Sequence, residues 1–305
     1  MSPRLLVTGA HGMLGRDVVR IARADGHDVV ALARAELDVT DAAAVSAAIS
    51  AAAPDAVVNC AAWTNVDGAE SDPDGAAAVN ATAAGNVARA AAAAGARLVH
   101  VSTDYVFDGA RAADAAPYVE SDPTNPQSVY GRTKLAGEQA VAAAGGSHAI
   151  VRSSWLFGVG GPNFAATMLR LAAERDEISV VTDQIGCPTA TADLARALLT
   201  LAFGAGDGDG AADGSAGAGA GVRAAQGVFH VAGSGPPVSW NAFAAEIFRQ
   251  AGAACRVLPC TTAEMPRPAP RPAFSALASA RPETPVLPPW QDGLSDFLEA
   301  RKVHA

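Results

Sequence analysis

Several things are scarce in this chain, and each scarcity excludes a class of protein. Cysteine occurs four times, at Cys60, Cys187, Cys255 and Cys260, with no CxxC pair and no metal-ligand spacing. Scattered thiols of this kind point to a reducing, cytoplasmic setting rather than a disulfide framework, and Cys60 and Cys187 read as inert small hydrophobes. No apolar run is long enough to span a bilayer, because the Ala-rich stretches alternate with charges. Met1-Ser2-Pro3-Arg4 leads straight into a strand, without the apolar segment of a signal peptide. Basic charge is short as well: 22 Lys and Arg stand against 31 Asp and Glu, for a net charge of −9. That argues against nucleic-acid binding, and an anionic ligand would have to be met by locally placed Arg, Lys or backbone N–H groups. No internal repeat is visible.

What is present is a core-forming α/β pattern. Half of the 305 residues are hydrophobic. Strands are expected at Arg4–Val7, Asp28–Leu32, Ala56–Cys60, Arg97–Val101 and His148–Arg152, with helices between them. Asp72-Pro73 offers an N-cap and an N1 proline for a helix running to Ala94, with Gly95 just past its end. Strands alternating with helices predict a doubly wound, Rossmann-like parallel sheet covered on both faces. The dinucleotide-binding domain is assigned to 1–152, with returning segments at about 178–203 and 226–233. A smaller C-terminal substrate lobe takes about 153–177 and 234–305, where Pro266–Pro289 reads as extended and irregularly packed. The Gly, Ala and Asp of 204–221 predict a flexible surface insertion.

Gly9-Ala10-His11-Gly12-Met13-Leu14-Gly15 follows the apolar run Leu5-Leu6-Val7 directly. A strand, a glycine turn and a helix make an anion site, because the free N–H groups of the helix start point at a phosphate. The whole loop, His11, Met13 and Leu14 included, is therefore a candidate dinucleotide cradle, with a plain tight turn as the bland alternative. His11 reads as a tolerated side chain near the cofactor rather than an acid–base group. The spacing GxxGxxG resembles the extended short-chain dehydrogenase/reductase family. After the second strand stands Ala33-Arg34, with no acid for the adenosine ribose. Arg34 reads as a 2′-phosphate contact, favouring NADPH with NADH left open, or equally as a solvated surface arginine. Asp38-Val39 resembles the adenine-side contact of that family, and Ala61, Ala62 and Thr64 follow the third strand where a cofactor would lie on the backbone.

Far downstream stand Tyr130 and Lys134, four apart on a predicted helix and so on one face. An ammonium there is expected to draw the tyrosine pKa down towards working pH. Lys134 can also hold a nicotinamide ribose. Thr103 ends the strand Leu98–Ser102, at a carboxyl edge of the sheet where ligands bind.

Ser102-Thr103-Asp104-Tyr105-Val106-Phe107-Asp108-Gly109 and Tyr130-Gly131-Arg132-Thr133-Lys134-Leu135-Ala136-Gly137-Glu138 resemble the dTDP-4-dehydrorhamnose reductase family. Matching segments continue at Arg152–Gly158, Asn163-Phe164, Asp183–Thr189, Ser239-Trp240 and Pro268–Pro272. The resemblance implies a reduced nicotinamide and a nucleotide-sugar ketone, with Tyr130 as proton donor, Lys134 supporting it and Thr103 orienting the carbonyl. It further implies sugar contacts from Thr103, Asp104 and Trp155, with Asn163, Gln184 and, more weakly, Arg271 as substrate-side candidates. Arg271 would face the diphosphate. For Trp155 the sugar contact is favoured over simply filling the junction between lobes, and Asn80 reads either as support of the site through water or as a structural cap. His100 and His230 lie on predicted strands and read as core. Some relatives dimerise through Mg²⁺ held by acids; those acids cannot be placed here, so metal dependence and a homodimer stay open. A nucleotide-sugar epimerase or dehydratase, for which Asp104 would be the acid, and a non-catalytic regulatory subunit are the competing readings.

Overall fold

The structure is a computed structural model and describes residues 2–204 and 225–303. The predicted insertion at 204–221 lies outside the described residues apart from Gly204. Six strands form one parallel sheet in the order β2-β1-β3-β4-β5-β10: β1 Arg4–Thr8, β2 Asp28–Leu32, β3 Ala56–Asn59, β4 Arg97–Thr103, β5 His148–Ser153 and β10 Gly227–His230. Central strands such as Ala56–Asn59 are buried along their whole length, which is why they read as continuous apolar runs rather than alternating ones. The chain leaves β1 towards one edge of the sheet and leaves β3 towards the other. The crevice at this reversal, outside the carboxyl ends of β1 and β3, is where such sheets bind ligands.

Helices cover both faces. On one face α1 (Met13–Ala24) and α8 (Thr191–Phe203) pack against each other and against Leu5, Val7, Val99 and Val151. On the other, α2 (Ala42–Ala52), α5 (Ala83–Ala93) and α6 (Val129–Ala143) enclose Leu6, Val57, Leu98 and Ile150. The helix expected from Asp72 is present: Asp72 accepts from the Gly75 N–H, and Pro73 takes the first position. It is not uniform. Ala78–Thr82 is a π-turn between α4 (Pro73–Ala77) and α5, and bulges of this kind often occur at functional sites.

A second core gathers Phe157, Phe243, Trp290, Leu294 and Phe297 beneath α7 (Phe164–Ala172), the helix Trp240–Ala251 and the C-terminal helix Trp290–Val303. The sequence reading groups 178–203 with the large sheet, and the strand in that segment differs. β7 (Glu177–Val181) pairs in parallel with β12 (Arg256–Cys260) in a separate two-stranded sheet. Its alternating burial explains this, since only Ile178 and Val180 turn inward, onto the second core. β12 and the C-terminal helix were not anticipated. The proline-rich stretch runs back along the first lobe through bridges Tyr118–Leu277 and Ile185–Phe274.

Candidate active site

The glycine loop is shaped by its neighbours. Gly9 has φ +67°, and a Cβ on it would stand 2.7 Å from the Ala61 nitrogen and 2.8 Å from the Cys60 carbonyl carbon. A side chain there would push β1 and β3 apart at the crevice. A Cβ on Gly15 would meet the Gly9 carbonyl oxygen. Gly12 caps α1 with extended backbone and no side-chain hydrogen bond, so the first-turn N–H groups stay available to an anion. These features fit a dinucleotide diphosphate.

A buried polar chain stiffens the same rim. The Thr8 hydroxyl donates to Asn59 Oδ1 at 2.6 Å, and the Ala61 N–H donates to the same oxygen at 3.2 Å. Asn59 Nδ2 donates to His100 Nδ1 at 3.0 Å, which makes that ring nitrogen the acceptor. Burial holds the His100 pKa well below the usual value, with Lys134 adding to the effect, so the imidazole is neutral. Ala61 and Ala62 are half-buried at this rim and Thr64 is exposed. Asn80 grips the loop from the π-turn: its side chain accepts from the Trp63 N–H at 2.9 Å and donates to the Thr133 hydroxyl of α6 at 3.1 Å. Arg34 is exposed beyond β2, and the Ala33 N–H beside it donates to Glu36. Asp38 accepts from the Thr40 hydroxyl and N–H, which hold its carboxyl below the usual range; Val39 is half-buried beside it.

At the end of β4 the candidate chemical groups converge. Ser128 caps α6 by accepting from the Gly131 N–H, and this fixes the turn that carries Tyr130. The Thr103 hydroxyl donates to Asp104 at 3.0 Å and accepts from the Tyr105 N–H at 3.2 Å, close by the Tyr130 phenol. Tyr105 lies edge-on to the Tyr130 ring at 5.4 Å. Burial pushes Tyr130 up to about 12, with the neighbouring Thr103 hydroxyl opposing it. This departs from the expected depression by Lys134. The Lys134 ammonium is turned to the Val101 carbonyl at 2.7 Å, and its charge is not among the influences on the phenol. Lys134 is 2% exposed, and burial brings its pKa down to about 8, opposed by Glu138. Asp104 is fully enclosed with Oδ2 unpaired; burial raises it to about 6 while the Ser275 and Thr103 hydroxyls resist.

The remaining candidates are bound up with other groups. Trp155 has φ +50° and stacks on Trp240 at 3.5 Å, so it sits at the junction of the lobes. A strained aromatic backbone persists only where its surroundings fix it. Asn163 caps α7 and donates its amide to the Gly158 and Gly161 carbonyls. That amide also reaches Met13 Sδ at 3.5 Å, tying the 158–163 loop to the glycine loop. Gln184 donates to the Thr262 hydroxyl at 2.9 Å. Arg271 pairs with Asp67 at 2.9 Å and donates to the Ala269 carbonyl, so one carboxylate already occupies the fork expected to face a diphosphate. Among the described residues no cluster of three or more His, Cys, Asp or Glu could hold a metal ion, so nothing supports Mg²⁺. Among them, too, no helix is long and apolar enough to cross a membrane.

One buried constellation was missed. Glu138 takes Arg152 Nη2 at 2.7 Å and Nε at 2.9 Å, and the Ser102 hydroxyl at 2.6 Å. Arg152 also approaches His230 Nε2 at 3.4 Å. His230 Nδ1 lies 3.0 Å from both the Tyr118 and Ala278 carbonyls, so it carries the proton and leaves Nε2 to accept. Sequence spacing held a signal, because Tyr130, Lys134 and Glu138 recur every four residues along one helical face.

Comparison with known proteins agrees with this geometry. A family model described as "RmlD substrate binding domain" matches residues 3–303. A dTDP-4-dehydrorhamnose reductase from Streptomyces griseus is 46% identical, covering 98% of this chain and 94% of its own. A Streptomyces antibioticus protein named as a probable dTDP-4,6-dihydroxy-2-methyloxan-3-one 4-ketoreductase is 42% identical, covering 97% and 94%. The crystal structure of dTDP-4-dehydrorhamnose reductase from Bacillus anthracis, in complex with NADP, superposes with a TM-score of 0.88 at 36% identity, covering 98% of this chain and 100% of that one. The chain belongs to the dTDP-4-dehydrorhamnose reductase family of oxidoreductases.

Proposed function

We propose that this protein reduces the C4 ketone of dTDP-4-dehydro-β-L-rhamnose to dTDP-β-L-rhamnose with NADPH. The observation that carries the reading is that Thr103 ends β4 beside Tyr130 of α6, on the same edge of the sheet as the Gly9–Gly15 crevice. A bound reduced nicotinamide would supply hydride to the carbonyl carbon. Gly9, Gly12 and Gly15 leave room for its diphosphate, with His11, Met13 and Leu14 in the loop between them. On this reading Arg34 meets the adenosine 2′-phosphate, Asp38 and Val39 the adenine side, and Ala61, Ala62 and Thr64 the face of the cofactor along β3.

The chain's own residues handle the proton. Because Tyr130 titrates near 12, it is protonated at working pH, which suits a donor to a developing alkoxide. Thr103 orients the carbonyl oxygen, so both hydroxyls act where negative charge grows. The phenolate formed then needs a cation, and Lys134 is one turn away on α6. Asp104 and Trp155 contact the sugar, with Asn163, Gln184 and Arg271 holding the loops around it. Lobe 1–152 with α8 and β10 carries the cofactor, and the remainder closes over the sugar.

A second reading, a ketoreductase for a related dTDP-4-keto-deoxysugar, draws support from the Streptomyces antibioticus relative. The test is to supply dTDP-4-dehydro-β-L-rhamnose with NADPH and with NADH and to count reduced cofactor lost against sugar alcohol formed. One NADPH per product supports the reading. Conversion without net oxidation of the cofactor, as in an epimerase or dehydratase, overturns it.

A further inference from the structure

Lys134 is the group whose surroundings remain unexplained. It is enclosed, yet its ammonium donates to a neutral carbonyl, that of Val101. An ammonium so placed loses its hydration and tends to shed its proton. The groups facing it from each element can be taken in turn. Cys60, at the end of β3, has its thiol pushed by burial up to about 12, so it carries no charge at working pH. His100 of β4 is neutral. Tyr130, on α6 itself, is a protonated phenol, its pKa raised by burial and by Asp104. Arg89 of α5 is held by Asn86, and Glu70 of the helix Val66–Ser71 takes the Val129 N–H at the start of α6. That leaves Glu138, one turn beyond Lys134 on the same face.

Glu138 is 4% exposed and is locked from two strands, by the Arg152 fork of β5 and the Ser102 hydroxyl of β4. Ser102 directly precedes Thr103, so the residue that fixes the carboxylate belongs to the strand end carrying the carbonyl-orienting hydroxyl. His230 backs the arginine from β10. The charges therefore alternate inward from Arg152 to Glu138 to Lys134.

We propose that Glu138, held by Arg152 and Ser102, is a positioning residue that keeps Lys134 charged and seated on the Val101 carbonyl, one helical turn from Tyr130. Glu138 touches neither substrate nor cofactor and acts through Lys134. Its catalytic consequence rests on the reductase reading above. Its effect on Lys134 does not.

The chain provides a clean test, because Lys134 and the exposed Lys302 are its only two lysines. Full-length protein labelled with ε-¹³C lysine gives two side-chain signals, and Lys302→Arg assigns them. The expected titration midpoint of Lys134 lies near pH 8. In Glu138→Gln it should fall by about one pH unit, while Glu138→Asp, which keeps the charge, should stay close to the wild type. Glu138→Gln leaves Arg152 buried without its carboxylate and can fail to fold, so Glu138→Gln with Arg152→Met provides a neutral counterpart, and there too the midpoint should fall. The alkaline limb of kcat/KM should move with the midpoint in each folded variant. An unchanged Lys134 midpoint in Glu138→Gln, or in the double variant when the single one does not fold, overturns the proposal. If the midpoint falls but wild-type protein oxidises no NADPH with the keto-sugar, the charge relay stands and the reductase reading fails.

Discussion

The two halves of the candidate active site are built from different materials. The crevice at β1 and β3 is made of backbone: glycines without side chains, an uncapped helix start and carbonyls at close quarters. The end of β4 is made of buried side chains, with Thr103, Asp104, Lys134, Glu138 and Arg152 all at most 6% exposed. A backbone site is intolerant of added atoms and indifferent to pH. A buried side-chain site tolerates little loss of charge and responds to pH through each group it encloses.

That contrast can be broken at several points. The largest effect is expected at Tyr130. Tyr130→Phe should lower kcat by about 10²–10⁴-fold, the usual contribution of a positioned proton donor, with an unchanged melting temperature. Steady-state NADPH oxidation alongside calorimetry checks both. Next comes Arg152→Met alone, which leaves the Glu138 carboxylate buried without its partner. A loss of about 3–5 kcal/mol in denaturant unfolding is expected, largely recovered when Glu138→Gln is added. Gly15→Ala tests the backbone half. Its methyl would meet the Gly9 carbonyl, so a stability loss of about 1–3 kcal/mol and weaker NADP binding are expected, with the pH profile unmoved.

The pH dependence sharpens the same division. Lys134 is needed as the ammonium, which is present below its folded value and lost above it. Activity in kcat/KM should therefore fall as pH rises through about 8, and this limb should persist in Gly15→Ala. The smallest effect is expected at Arg34, which is exposed. Arg34→Ala should weaken NADPH binding by about tenfold, as for one charge-assisted contact, and leave NADH binding alone.

How legible each half was in the sequence follows from the same contrast. The strand, glycine loop and helix from Arg4 to Ala24 are contiguous, so spacing alone exposed them. Tyr130 and Lys134 were readable because a helix converts four residues into one turn. Long-range pairings were not readable. Arg271 meets Asp67 across 204 residues, and this ion pair occupies a guanidinium expected to face a diphosphate. The resemblance implies a substrate-side role for Asn163; that its side chain also caps α7 and bonds loop carbonyls is a tertiary detail that spacing does not show. β7 looked like any other strand of the large sheet, and only its alternating burial places it with β12. The direction of the Tyr130 shift was also out of reach, since it depends on how deeply the phenol is enclosed and on where the Lys134 ammonium turns.

On the proposed function the two halves meet at one carbonyl while keeping separate tasks, cofactor binding in the glycine crevice and proton delivery at Tyr130. The most direct test measures NADP affinity and kcat with dTDP-4-dehydro-β-L-rhamnose on the same preparation of Tyr130→Phe. A kcat lower by at least about 100-fold is expected, with an NADP Kd within about tenfold of the wild type, since one neutral hydroxyl contact contributes about that much at most to binding. A variant that keeps its kcat would contradict it, as would one whose loss of turnover is matched by an equal loss of cofactor affinity.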